Sequence, residues 1–250
     1  MNNLYETQRV MRRARKAAIQ RGVIAVLDIG TSKIACFILK FENNKLGSSE
    51  DPVGSMVGQA DFRIIGVATT KSRGIKFGDI ELIRETERAI RTSVQAAQKM
   101  AGVRVDHVIT CFSGGRPRSY GLAGNIQTEN GMVNDRDIAG VLDSCEIPNY
   151  GLAREALHAQ PVNFTLDDKN GLLDPRGQIG KELLVDMHLL TVDISSVETM
   201  LHCVKRCDLE LAGVASSAYV AAISSLVEDE QEIGCLLYTS DAADDTPCVD

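Results

Sequence analysis

Two apolar runs, residues 23–29 and 34–41, are separated only by Gly30-Thr31-Ser32-Lys33, and the first is interrupted only by Asp28 near its end. Runs of this length bounded by a turn read as buried strands, and so few turn residues leave room only for a tight bend between them. Residues 42–61 are polar and glycine-rich, which reads as a loop, and 63–70 (RIIGVATT) read as a third strand of the same sheet. The chain therefore opens as a strand meander, and its later elements must build on that sheet.

Beyond residue 78 the period changes. Asp79 offers an N-cap, and Ile80, Ile83, Ile90, Val94 and Ala97 recur at helical spacing until Gly102, which predicts a helix over 79–101. A strand is expected from 105 through 111, then a glycine-rich turn at Ser113-Gly114-Gly115 and a helix around 137–145. A loop bearing Pro161, Pro175, Gly177 and Gly180 precedes 183–192 (LLVDMHLLTV), a strand long enough to re-enter the first sheet. Ser195 or Ser196 can cap a helix with Val197, Met200, Val204 and Cys207 on its apolar side, and 211–215 read as a short strand. Alternation of strands and helices after a meander points to an α/β layer architecture, interrupted by an insertion at about 103–183.

Composition narrows the function classes. Aromatic residues make up 4% and Trp is absent, which argues against stacking platforms for single strands, and a net charge of -7 would repel a phosphate backbone. The seven cysteines, at 36, 111, 145, 203, 207, 235 and 248, form no CxxC pair and meet no paired His, so reduced thiols packed as small hydrophobes are expected, above all Cys203 and Cys207 on one helix face. No run approaches the roughly 20 apolar residues needed to span a bilayer. Residues 1–21 carry Arg9, Arg12, Arg13, Arg15, Lys16 and Arg21 against Glu6 and lack the apolar core of a secretory signal. They read as a disordered basic tail, with weak contact to an anionic membrane surface as the sharper alternative. At the other end, CLLYTSDAADDTPCVD (235–250) does not continue the pattern and resembles translated adapter read-through, so it is expected to be non-native.

The stretch from Asp28 to Lys33 is where chemistry is expected. Gly30 permits a tight turn whose backbone N–H groups approach a phosphate, Thr31 and Ser32 add hydroxyls, Lys33 adds a point charge, and Asp28 at the strand end suits Mg²⁺ held through its waters. The same residues also serve as plain hairpin turn chemistry with nothing bound. No G-x-G-x-x-G, P-loop, HExxH or G-x-S-x-G pattern occurs. Among His107, His158, His188 and His202, His188 reads as a core histidine in a strand, and Asp167-Asp168 as a polar turn. No general acid or base is assigned.

Several segments in order resemble the FtsA family of bacterial cell-division proteins, within the actin, Hsp70 and sugar-kinase superfamily. VLDIGTSKIACFI is similar to its first phosphate loop, and IIGVATTKSRGIKFGDI to its second signature. VITCFSGGRPRS, LHAQPVNFTLD, LLDPRGQIGKEL and VDMHLLT resemble its small inserted domain and return strand, and SSAYVAAISSLVEDEQEIG the approach to a second phosphate loop. The resemblance implies an α/β, actin-like ATPase fold of the ribonuclease H type, first half only, with an inserted small α+β subdomain. Residues 22–102 and 184–234 would form the first subdomain and 103–183 the insert. It implies ATP and Mg²⁺ as cofactors, held through Asp28, Gly30, Thr31, Ser32 and Lys33 with Asp28 toward the metal, and at most weak ATPase activity.

Expected partners are the tubulin-like FtsZ, other division proteins and a second copy through the insert. A C-terminal helix outside this chain would reach the inner face of the cell membrane, and no nucleic acid is expected. Two alternatives share the fold. One is a pilus-assembly adaptor; the other is a small-metabolite kinase, for which Asp186 or Asp193 would be the available base.

Overall fold

The computed structural model describes residues 3–41 and 62–226, with side chains from residue 10 onward. The second phosphate loop expected beyond Gly234, the loop at 42–61 and the tail at 235–250 lie outside these residues. The chain divides into two compact units, one holding the described residues up to 41, 62–115 and 193–226, the other 116–192.

The first unit is built on a five-stranded sheet. Helix α1 (Asn3–Gln20) precedes β1 (Val23–Ile29) and β2 (Lys33–Phe41), and β3 (Phe62–Lys71) completes the antiparallel meander. A two-residue ribbon, β4 (Ile75–Lys76) and β5 (Asp79–Ile80), leads to helix α2 (Ile83–Ala101) and then β6 (His107–Phe112). After the second unit the chain returns as helix α4 (Ile194–Arg206), strand β11 (Glu210–Ser216) and helix α5 (Ser217–Ser225). The sheet order is β11-β6-β1-β2-β3, with β6 and β11 parallel to β1. A meander continued by two parallel crossover strands is the ribonuclease H-like arrangement of actin-type proteins, and the α/β fold class expected from the sequence holds.

β1 is nearly all apolar because both of its faces are covered. Ile24 packs with Ala18 of α1 and Ala212 of β11, while Ala25, Leu27 and Ile29 of the opposite face are fully buried as well. Helix α2 lies over β2 and β3, burying Ala89, Ile90, Val94 and Ala97; each of the larger aliphatic side chains among them contributes about 2 kcal/mol of transfer free energy. Ser93, buried in the same face, donates its hydroxyl to the carbonyls of Ile34 and Ala68.

Three expectations do not hold. The basic N-terminal stretch, expected to be disordered, is helix α1. Met11, Ala14 and Ala18 recur at helical spacing and pack on the sheet, an apolar stripe too narrow to stand out among so many cations. The helix expected from Asp79 begins at Ile83 instead, with Leu82 at its N-cap position and no side-chain cap. Asp79 is not a cap; it lies in β5 and its carboxylate turns to another loop. Finally, the strand at 107–112 belongs to the first sheet, whereas the long strand ending at Asp193 does not.

That strand, β10 (Glu182–Asp193), belongs to the second unit with β7 (Arg118–Gln127), helix α3 (Asp135–Asp143), β8 (Arg154–Leu166) and β9 (Lys169–Leu172). The sheet order is β7-β10-β8-β9, and β10 pairs antiparallel with β7 along its length, from Glu182 beside Gln127 to Thr191 beside Arg118. The insertion is therefore 116–192 by compactness, not 103–183. An apolar run states that a strand is buried but not which sheet buries it. Pro161 lies inside β8 rather than in a loop; β9 pairs only with the Phe164–Leu166 end, so the missing N–H of Pro161 deprives no β9 carbonyl of a partner. The core of this unit is Val133, Ile138 and Val141 from α3 and its approach, against Leu122, Phe164, Leu166, Leu183, Val185 and Leu189 of the sheet.

Candidate functional site

β1, β6 and β11 run parallel and end side by side, with Ile29 in register with Phe112, and Phe112 with Ser216. Backbone N–H groups of the loops that leave such ends point outward, and ligands of open α/β sheets collect there. Asp28 lies one residue before the end of β1, half-buried, and Ser217 at the start of α5 donates its hydroxyl to Asp28 Oδ1 at 3.2 Å. Cys111, beside Asp28 in register, has its thiol pushed up to about 11, first by burial and then by the neighbouring Asp28 carboxylate.

The turn after β1 is held from two sides. Gly30 N–H donates to the Lys33 carbonyl at 3.1 Å, and the Ser32 carbonyl accepts from Ser72 N–H at 3.0 Å. Thr31 Oγ1 accepts from Gly78 N–H at 3.0 Å, so its own proton remains free to donate. Gly78 is delivered by the β4–β5 hairpin, whose turn residues Phe77 and Gly78 both take positive φ, 50° and 79°, as a primed two-residue turn requires. A Cβ on Gly78 would stand 2.7 Å from the Gly114 nitrogen, so glycine is required for the approach as well as for the turn.

The third loop, Ser113-Gly114-Gly115 after β6, closes the group. Gly115 N–H donates to Asp79 Oδ1 at 2.9 Å, and the Gly115 carbonyl accepts from Asp193 N–H at 2.8 Å. Of the residues expected to bind, Asp28, Gly30 and Thr31 are built into this scaffold, while the side chains of Ser32 and Lys33 are exposed. Sequence reasoning missed Ser72, Asp79, Ser113 and Ser217. Ser72 Oγ and Ser113 Oγ are buried hydroxyls with no hydrogen-bond partner, a condition that costs about 1–3 kcal/mol unless something outside the protein satisfies it. One carboxylate, several hydroxyls and turn N–H groups form an all-oxygen and amide set that fits Mg²⁺ and phosphate; no group of three or more His, Cys, Asp or Glu residues suited to a metal occurs among the described residues.

Other sequence candidates lie elsewhere. Asp186 is an exposed residue of β10 in the second unit, and Asp193 precedes α4. His188 is half-buried in β10; His107, at the start of β6, is buried against Arg21, Asp106 and Glu210. A cavity of about 530 Å³ opens where β6 and β11 begin, lined by Arg91, Gln98, Arg104, Asp106 and Asp208. Arg91 is already paired with Asp208 at 2.8 Å and with the Arg206 carbonyl, and the cavity lies at the opposite strand ends from the Asp28 turn. Cys203 and Cys207 pack against α2 as expected, with thiols pushed up to about 12 and about 11 by burial. No helix among the described residues is long and apolar enough to cross a membrane.

Residues 114–191 match the SHS2 domain inserted in FtsA, nearly the limits of the second compact unit. The chain is 33% identical over 214 residues to the cell division protein FtsA of Rhizobium meliloti, covering 85% of this chain and 47% of that protein. It is 34% identical over 213 residues to FtsA of Agrobacterium fabrum, with the same coverage. The chain thus spans about half the length of the curated relatives it matches. Among solved structures, the PilM-PilN type IV pilus biogenesis complex is similar at 12% identity and a TM-score of 0.47, over 80% of this chain and 49% of that one.

Proposed function

From its standing as a relative of the FtsA cell-division proteins, we propose that this chain acts in bacterial cell division and supplies part of an actin-like ATP clamp. One observation carries the nucleotide half of the reading: at the ends of three parallel strands, Ser217 bonds Asp28, and the unsatisfied Ser113 hydroxyl follows the neighbouring strand β6. The turn N–H groups and the Thr31 hydroxyl would donate to phosphate oxygens, Ser32 would add a further hydroxyl, and Lys33 would lay a point charge beside them. Asp28 would hold Mg²⁺ through its water shell, and the ion would neutralise phosphate charge.

This chain's own residues bind and orient in that scheme. None is assigned as a general base. The SHS2 unit would carry contacts to a second copy and to other division proteins, FtsZ and the inner face of the membrane being reached by the whole protein.

Asp28→Asn in the full-length protein tests the site. The amide oxygen can still accept from Ser217 while the charge is removed. Mg²⁺-dependent ATP affinity, measured by equilibrium dialysis, is expected to fall at least about tenfold, the effect of about 1.4 kcal/mol. Unchanged affinity would sink the assignment of Asp28 and its turn.

A further inference from the structure

Helix α1 divides its residues sharply. Met11 is buried, and Ala14 and Ala18 face the sheet, where they pack with Ile24, Leu39, Ile109 and Ala212. Arg12, Arg13, Lys16 and Gln20, spaced so that each lies three or four residues from another, are all exposed and share the opposite side. Arg15 lies on the flank, its Nη1 3.6 Å from where a Cβ on Gly213 of β11 would stand. Among the described residues Arg12, Arg13 and Lys16 make no ion pair. Like charges at this spacing destabilise a helix, and this chain, with 34 acidic residues against 27 basic, places none of the described acids among them. The helix is held by its packing in spite of that repulsion.

We infer that the Arg12, Arg13 and Lys16 face of α1 docks on the anionic phospholipid headgroups of a membrane surface. The three charges fall within about 6 Å along the helix axis, on the side of the helix opposite Ala14 and Ala18, which pack on the sheet. The contact of this face is electrostatic, at headgroup level. A flat surface of uniform negative charge requires only that density of cations and no matching shape.

Nucleic acid fits less well. A duplex binder neutralises many phosphates and is basic over its whole domain, whereas this chain carries -7, and is still acidic without the four aspartates of residues 235–250. Lipid contact does not need that, because charges more than about 8 Å behind the surface are screened at physiological salt. The inference does not rest on nucleotide binding, which Asp28→Asn reads separately.

The test is co-sedimentation of the 250-residue chain with vesicles of phosphatidylcholine and phosphatidylglycerol in equal parts, against phosphatidylcholine alone. Binding is expected only with the anionic vesicles, and it is expected to vanish between about 0.1 M and about 1 M salt, as the screening length falls from about 10 Å to about 3 Å. Arg12→Gln, Arg13→Gln and Lys16→Gln together should weaken partition about a hundredfold. Arg84→Gln, Lys99→Gln and Arg136→Gln, which remove the same charge from exposed positions elsewhere, should leave it within about twofold of the parent.

Arg12→Lys with Arg13→Lys keeps every charge and should retain binding, which separates charge from folding if the glutamine variant loses its helix by circular dichroism. Equal binding to both vesicles, no binding to either, equal loss in both triple variants, loss in the lysine variant, or stripe-dependent binding to duplex DNA alone would each overturn the proposal.

Discussion

Asp167 turns the β8–β9 hairpin with a φ of 51°, and its carboxylate accepts from the backbone N–H groups of Glu182 at 2.9 Å and Lys181 at 3.0 Å. Those bonds, Glu182 first and Lys181 second, hold its pKa below the ordinary 3.8. A depressed carboxylate contributes stability that is complete above the unfolded value and lost as pH falls through the folded one. Asp167→Ala should therefore lower the unfolding temperature at neutral pH, and its gap from the parent should narrow on acidification below 3.8, in thermal scans across that range. A gap independent of pH would mean that the loss is one of packing. The sequence marks Asp167-Asp168 as a polar turn but gives no sign that the carboxylate ties that turn to β10. Ser217 is the sharper case: 189 residues separate it from Asp28, and no local pattern announces such a meeting.

Helices α1 and α3 show how far local pattern reaches. Around α3 the signal is strong: Asn134 accepts from the N–H groups of Arg136 and Asp137 while Asp137 accepts from Asn134 N–H, a reciprocal capping box. Asn134→Ala should cost about 1 kcal/mol, read as a shift of the urea midpoint with the slope unchanged; a loss near zero would mean that water replaces the cap. The helix begins at Asp135, two residues before the expected start, because the cap precedes the apolar periodicity by which a helix is recognised. In α1 the cations dominate the composition and the apolar stripe of Met11, Ala14 and Ala18 is weak, so its helical state is decided by the sheet that receives it. β10 is the converse case. Its apolar run is unmistakable, yet pairing with β7 rather than with the first sheet depends on a register that only the assembled backbone contains.

At the scale of the whole molecule, the two units have separate cores. The pairing of Arg118 with Thr191 brings the two ends of the second unit side by side, so the chain enters and leaves that unit through adjacent strands. Residues 116–192 expressed alone should fold and unfold in one cooperative urea transition, with a slope of about 1 kcal/mol per molar, as a unit of this size exposes little surface. A gradual change without a baseline would show that the SHS2 unit depends on the remainder of the chain.

Local pattern was enough for the meander, the α/β class, the presence of an insertion and the turn from Asp28 to Lys33, because periodicity, turn residues and uninterrupted apolar runs act over a few residues. Long-range packing set where the insertion begins and ends, made a helix of the basic N-terminus, and gathered Ser72, Asp79, Ser113 and Ser217 around the turn. Each of those outcomes depends on which surfaces meet after the sheet has closed, and that information is carried by strand register and burial between residues far apart in the chain.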